Sequence, residues 1–131
     1  IVTPTFNEEE NIERLCKEIK IEAESLNYDY EHIIIDNCST DKTIDKLREI
    51  SSKDKNVKVI INSRNYGHIK SPFYGVMQST GDACILMVSD FQEPINLISQ
   101  YINVFLNLKF DSFFFVSLLL FFLSFLPFFQ V

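Results

Sequence analysis

Apolar residues recur along the first 109 positions in two alternating periods. Residues 1–5 form a short apolar run of strand length. Ile12, Leu15, Cys16, Ile19, Ala23 and Leu26 then fall three and four apart, a helical stripe. Asn7 with Glu10 fits an N-cap and its capping-box partner. His32–Asp36 (HIIID) is β-branched and reads as a buried strand. Ser39 or Thr40 can cap a second helix, whose stripe is Ile44, Leu47 and Ile50. Residues 57–62 (VKVIIN) predict a third strand. Ser71 followed by Pro72 predicts a helix start, with Pro at the first helical position, continuing through residues 73–79. Gly81 and Asp82 turn the chain into residues 83–88 (ACILMV), a fourth buried strand. Pro94 marks a last helix with Leu97, Ile98, Tyr101, Ile102 and Phe105 on its apolar face.

Strand and helix thus alternate four times. Near-continuous apolar strands joined by helical crossovers predict an α/β three-layer sandwich with a mostly parallel sheet. Right-handed crossovers bring the C-terminal ends of the strands to one edge, where ligands of such sheets bind. That rule selects residues 4–8, 36–41, 63–68 and 89–93. The polar and unusual residues of the chain cluster in those four loops.

The pattern breaks near Lys109. Residues 1–109 carry all 12 Lys and Arg and all but one of the 18 acidic residues, while residues 110–131 carry a single charge, Asp111, and nine of the 13 Phe. The two parts are therefore read as separate units in the sequence, residues 1–109 and, as a hydrophobic Phe-rich tail, residues 110–131. The net charge of −6 argues against a nucleic-acid partner. Three cysteines, with no CxxC pair, imply neither a disulfide framework nor a zinc site, and suit a reducing compartment. The opening IVTPTF reads as a strand already under way, so residues are expected to precede it. No GxGxxG follows the first strand, no GxxxxGK[ST] occurs, and there is no HExxH or His/Cys metal cluster.

What the loops do contain resembles a known set. Residues 2–12 (VTPTFNEEENI) resemble the opening P-x-Y/F-N-E-x-x-N-I of family 2 glycosyltransferases, which have the GT-A fold. Residues 35–43 (IDNCSTDKT) resemble their D-D/N-x-S-T-D-x-T block, and residues 63–68 (SRNYGH) their S-R-N-F/Y-G block. Gly81 with Asp82 and residues 89–94 (SDFQEP) resemble G-D and D-L-Q-D/E-P. The last blocks point to the branch that glycosylates dolichyl and undecaprenyl phosphates. Four blocks in order, each at the end of a predicted strand, make the signal specific.

The resemblance covers roughly residues 1–109, which it marks as the nucleotide-sugar-binding half of a GT-A domain, and it implies transfer of a sugar from a nucleoside-diphosphate sugar, a UDP- or GDP-sugar, by an inverting mechanism. The implied acceptor is a polyprenyl phosphate, and the implied location the cytoplasmic face of a membrane. Asp36 matches the family position that contacts the nucleobase, a role suited to a desolvated carboxylate. Pro4, Phe6 and Glu8 match positions lining the nucleotide pocket. Core packing for Phe6, a first-turn acid for Glu8 and a loop carboxylate or cap for Asp36 are the plain alternatives. The diphosphate calls for Mg2+ or Mn2+, which takes one or two carboxylates with phosphate and water oxygens. The family's D-x-D triplet is Val88, Ser89 and Asp90 here, so the first carboxylate is absent. Asp90, with Gln92 and with help from Glu93, is left as the metal-binding set, or Asp90 serves only as a helix cap. Arg64 and His68 follow the third strand and receive no chemical step, and no catalytic base is assigned.

Two other readings stay open: a nucleotidyltransferase, whose phosphate loop would be basic rather than TPTFNEEE, and a non-catalytic nucleotide-sugar-binding protein, favoured by Val88. Nothing after Lys109 resembles the family's acceptor region, so this stretch alone is not expected to turn over. Residues 113–129 hold 14 apolar residues among 17. They read as a marginal membrane span of the roughly 20 residues needed, as an aberrant gene end, or, at 113–116, as a further strand.

Overall fold

The computed structural model describes residues 1–108 and 114–115. Within them the expected α/β order is present: β1 (Val2–Thr5), α1 (Ile12–Ser25), β2 (His32–Asp36), α2 (Thr43–Lys53), β3 (Val57–Ile61), α3 (Gly67–Met77), β4 (Ala83–Cys84), α4 (Leu97–Leu108) and β5 (Phe114–Phe115). β1, β2 and β3 form a parallel sheet in the order β1-β2-β3. β4 pairs in parallel with β5 through Ala83–Phe114 and Cys84–Phe115. The chain then moves onto the free edge of β1. Val2 N–H donates to the Ile85 carbonyl (2.7 Å) and Met87 N–H to the Val2 carbonyl (2.9 Å). The predicted single strand 83–88 is therefore shared between two neighbours.

Side chains alternate across the sheet with period two. Ile34, Ile85 and Met87 face α1, α2 and α4, joining Ile12, Leu15, Ile19, Leu47, Ile98 and Tyr101 in the larger core. Val2, Ile33 and Cys84 face α3 and pack with Val76. Three helices thus cover one face and α3 the other, the three-layer arrangement that the alternation predicted. On the α3 side the helix backbone comes close to the side chains of the sheet at Gly75, where an added Cβ would lie 3.0 Å from both Ile35 Cγ2 and Val2 Cγ1. β3 is less buried than β2, with Lys58 and Ile61 exposed, because it lies at the end of the sheet order.

All four helix starts differ from the sequence reading. α1 begins at Ile12, after a turn in which Asn11 and Ile12 N–H both donate to the Glu8 carbonyl. Asn7 is no cap, because its side chain is taken by a neighbouring loop. α2 begins at Thr43, where the Asp41 carboxylate accepts the Thr43 N–H (2.9 Å), a task expected of Ser39 or Thr40. α3 begins at Gly67, with Pro72 inside it. Asn65 Oδ1 accepts the Gly67 N–H (2.8 Å) and starts the helix a turn early. Pro72 is accommodated although it lacks the N–H that would bond the His68 carbonyl. α4 begins at Leu97, whose N–H bonds the Pro94 carbonyl (3.0 Å).

Among the described residues no helix is long and apolar enough to cross a membrane. The expected tail 110–131 lies outside the described residues except for Phe114–Phe115, which takes the strand reading.

Candidate functional site

The four strand-end loops meet, and each turns through one residue in the left-handed region: Asn7 (φ 55°), Cys38 (φ 69°), Gly67 (φ 83°) and Phe91 (φ 58°). Only glycine adopts this without cost; for other residues the cost is of order 1–2 kcal/mol, least for Asn. Such conformations persist where surrounding bonds hold them, and here those bonds are explicit. The NEE and STDKT segments are laced together. Asn7 N–H donates to Ser39 Oγ (2.8 Å), Glu8 N–H to Thr43 Oγ1 (2.8 Å) and Glu9 N–H to Asp41 Oδ2 (3.1 Å). In return Thr40 N–H donates to Asn7 Oδ1 (2.8 Å) and Lys42 N–H to Glu9 Oε2 (2.9 Å). Burial would raise the Asp41 carboxyl, but bonds from the Thr43 hydroxyl and amide and the Glu9 amide hold it below its ordinary value.

Asn37 joins the third loop to this pair. Its Oδ1 accepts the Tyr66 N–H (2.8 Å), and its Nδ2 donates to Asn65 Oδ1 (2.9 Å). Tyr66 N–H can only donate, and so can the Gly67 N–H that fixes Asn65, so both amide orientations are determined.

Between these loops and residues 86–90 lies an open cleft of about 490 Å3. Pro4 lines it from β1, Phe6 and Glu8 from the loop after β1, Asn37 from the loop after β2, His68 from the start of α3, and Val88 and Asp90 from the fourth loop. The sequence-predicted Pro4, Phe6, Glu8 and Asp90 are thus brought together. Phe6 is 44% exposed, a ring on a wall rather than in a core. Glu8 Oε2 accepts from Asn11 Nδ2 (2.8 Å), which fixes its direction.

Asp36 sits elsewhere. It is fully buried at the end of β2, and its two oxygens accept the Ser39 N–H (2.9 Å) and the Ser39 hydroxyl (2.5 Å). The next residue, Asn37, is the one on the cleft wall. Sequence reasoning passed over it because a strand of period two can present either residue at its end, and the pattern did not say which.

Asp90 is exposed, with Oδ1 accepting the Gln92 N–H (3.1 Å), so it meets the backbone of Gln92. Glu93 is half-buried, its carboxyl raised by burial and by the neighbouring Asp90 charge, and its Oε2 is buried without a hydrogen-bond partner. Among the described residues no group of three or more His, Cys, Asp or Glu is placed to hold a metal ion. The cleft therefore offers a cation the carboxylate of Asp90, a donor set that fits only a cation carried largely by a ligand's own oxygens.

Comparison with known proteins agrees with this architecture. The profile of glycosyl transferase family 2 matches residues 1–117. The dolichol-phosphate mannosyltransferase of Pyrococcus furiosus is 35% identical over 107 residues, 82% of this chain and 30% of that protein. The undecaprenyl-phosphate 4-deoxy-4-formamido-L-arabinose transferase of Pseudomonas fluorescens is 34% identical over 104 residues, 79% of this chain and 30% of that protein. The chain thus spans about a third of the length of the curated relatives it matches. Among solved structures, Staphylococcus aureus TarS 1–349 in complex with UDP-GlcNAc superposes with a TM-score of 0.61 at 24% identity, over 79% of this chain and 30% of that one, a likeness of fold. The chain belongs to glycosyl transferase family 2.

Proposed function

We propose that the cleft holds the nucleoside-diphosphate part of a UDP- or GDP-sugar, and that the protein transfers the sugar with inversion to a polyprenyl phosphate at the cytoplasmic face of a membrane. The observation that carries this reading is the convergence of all four motif loops on one cleft at the carboxyl edge of the sheet, with Phe6, Glu8 and Asp90 on its walls. Phe6 offers an aromatic surface to a base or ribose. Glu8, held by Asn11, accepts from hydroxyl groups. Asp36 acts through Ser39 as a positioning residue, keeping the turn that presents Asn37. The acceptor class is supported by the two relatives named for dolichol and undecaprenyl phosphates. A phosphate oxygen is already anionic, so such an acceptor lessens the need for a general base.

Mg2+ or Mn2+ would be held by Asp90, with Gln92 beside it, and would stabilise the charge on the departing diphosphate. Val88 stands where a second carboxylate would strengthen that site. For the same reason a second reading, a nucleotide-sugar-binding protein without turnover, has an observation in its favour.

A transfer assay with labelled UDP- and GDP-sugars and a polyprenyl phosphate in detergent separates the two. Metal-dependent label on the lipid, lost in Asp90→Asn, supports transfer. Nucleotide-sugar binding without product supports the second reading when residues 1–109 are joined to an acceptor region; from residues 1–131 alone the absence of product is expected under both. Label on a soluble sugar acceptor in preference to the lipid contradicts the proposed acceptor.

A further inference from the structure

α3 is built the opposite way round from an ordinary surface helix. Its inward residues are Ser71, Pro72, Gly75 and Val76, all buried against the sheet. Its large apolar residues point outward: Ile69 is 72% exposed, Phe73 61% and Met77 62%. These three are spaced by four and form one stripe. Tyr74 on the same helix, with Tyr66 and Ile61 next to its start, extends the exposed apolar surface. A helix that turns apolar residues both inward and outward calls for a covering on both sides, and an exposed apolar patch of this kind marks an interaction surface.

The charges say what covers it. The chain carries −6 overall, yet no Asp or Glu occurs between Asp54 and Asp82. Arg64 and Lys70 flank the stripe, both exposed, and neither forms an ion pair among the described residues. The Arg64 guanidinium lies 4.9 Å from the Tyr66 ring centroid. Tyrosines and basic residues around Phe, Ile and Met are the composition of a surface that lies in a lipid headgroup layer. A second copy of the same face would bring Arg64 and Lys70 against like charges, with no carboxylate to meet them.

We infer that the outward face of α3, centred on Ile69, Phe73 and Met77 and flanked by Arg64 and Lys70, docks on an anionic phospholipid surface. Because Gly67 and His68 at the start of the same helix line the cleft, docking sets the cleft mouth near the headgroups. The inference does not depend on the sugar-transfer reading, since no nucleotide or sugar enters it.

The chain contains no Trp, so Phe73→Trp gives a single reporter. In the 131-residue chain its emission should shift to the blue with vesicles of phosphatidylglycerol and phosphatidylcholine, and be quenched by brominated acyl chains. Tyr28→Trp, at the opposite edge of the sheet, should show neither effect. Adding Arg64→Glu and Lys70→Glu to Phe73→Trp should weaken the vesicle affinity roughly thirtyfold or more at low salt, at about 1 kcal/mol per basic residue. The exposed positions leave the fold intact, which circular dichroism checks. Three results would overturn the inference: no shift at Phe73→Trp, an equal shift at Tyr28→Trp, or a shift that follows protein concentration without vesicles and accompanies a doubled mass.

Discussion

Asn37→Ala is the perturbation that most directly probes how the cleft wall is held. Asn37 makes two short hydrogen bonds, with Tyr66 N–H (2.8 Å) and Asn65 Oδ1 (2.9 Å), and two long ones, with Asn62 Nδ2 (3.3 Å) and the Gly67 carbonyl (3.4 Å). The long pair contributes little. Each short bond is worth about 1 kcal/mol net, and a partly buried Tyr66 N–H left unpaired adds about 1 kcal/mol more. The expected loss is about 2–3 kcal/mol, a large share of the roughly 5–15 kcal/mol typical of a domain. Part of it is local, because Asn65 keeps the Gly67 N–H while the Tyr66 N–H loses its acceptor in the loop after β2. Urea unfolding of the 131-residue chain gives the global part. Hydrogen exchange gives the local part, with protection lost at Tyr66 before it is lost at Ile33 or Ile34 in β2. An unchanged urea midpoint together with unchanged Tyr66 protection would refute the claim that Asn37 ties the loops.

His32 is fully buried in β2, and burial foremost pushes its imidazole down to about 3, so the folded state holds it neutral while the unfolded chain protonates it near 6.5. Stability should therefore fall as pH drops from 6.5 toward 3, by up to roughly 1.4 kcal/mol per pH unit from this group, and His32→Gln should flatten that slope in urea titrations run at several pH values. Gly75→Ala should gain about 1 kcal/mol of helix propensity but lose about 1–3 kcal/mol to overpacking against Ile35 and Val2. The net result is a lower melting temperature, read by circular dichroism. Val88→Asp should strengthen the Mn2+ dependence of nucleotide binding and Asp90→Asn should remove it, both measured by titration with and without the cation.

The fold was legible where periodicity was strong. Ile12, Leu15, Cys16, Ile19 and Ala23 of α1 are all buried, and β2 runs over the residues its β-branched run marked. Helix starts were less legible, because Asn7, Ser39 and Thr40 have the chemistry of caps and spend it on bonds between loops more than 30 residues apart in sequence. Nothing local could show that. The same long-range lacing hid Asn37. Its polar neighbours Asn65 and Tyr66 are fixed only by the crossing of the β3–α3 loop over the end of β2. For the site, the rule that ligands bind beyond the carboxyl ends of parallel strands located all four loops. It could not tell which side chains of those loops face the cleft and which brace it, and Asp36 and Asn37 differ in just that respect.

The central claim is that the cleft lined by Pro4, Phe6, Glu8 and Asp90 takes a nucleoside diphosphate. Calorimetric titration of the 131-residue chain with UDP, GDP, ADP and NAD in the presence of Mg2+ tests it most directly, with Phe6→Ala and Asp90→Asn run alongside. The account predicts that UDP or GDP binds more tightly than NAD and that both variants weaken that binding. NAD bound as tightly as UDP and GDP, or affinities unchanged in both variants, would contradict it.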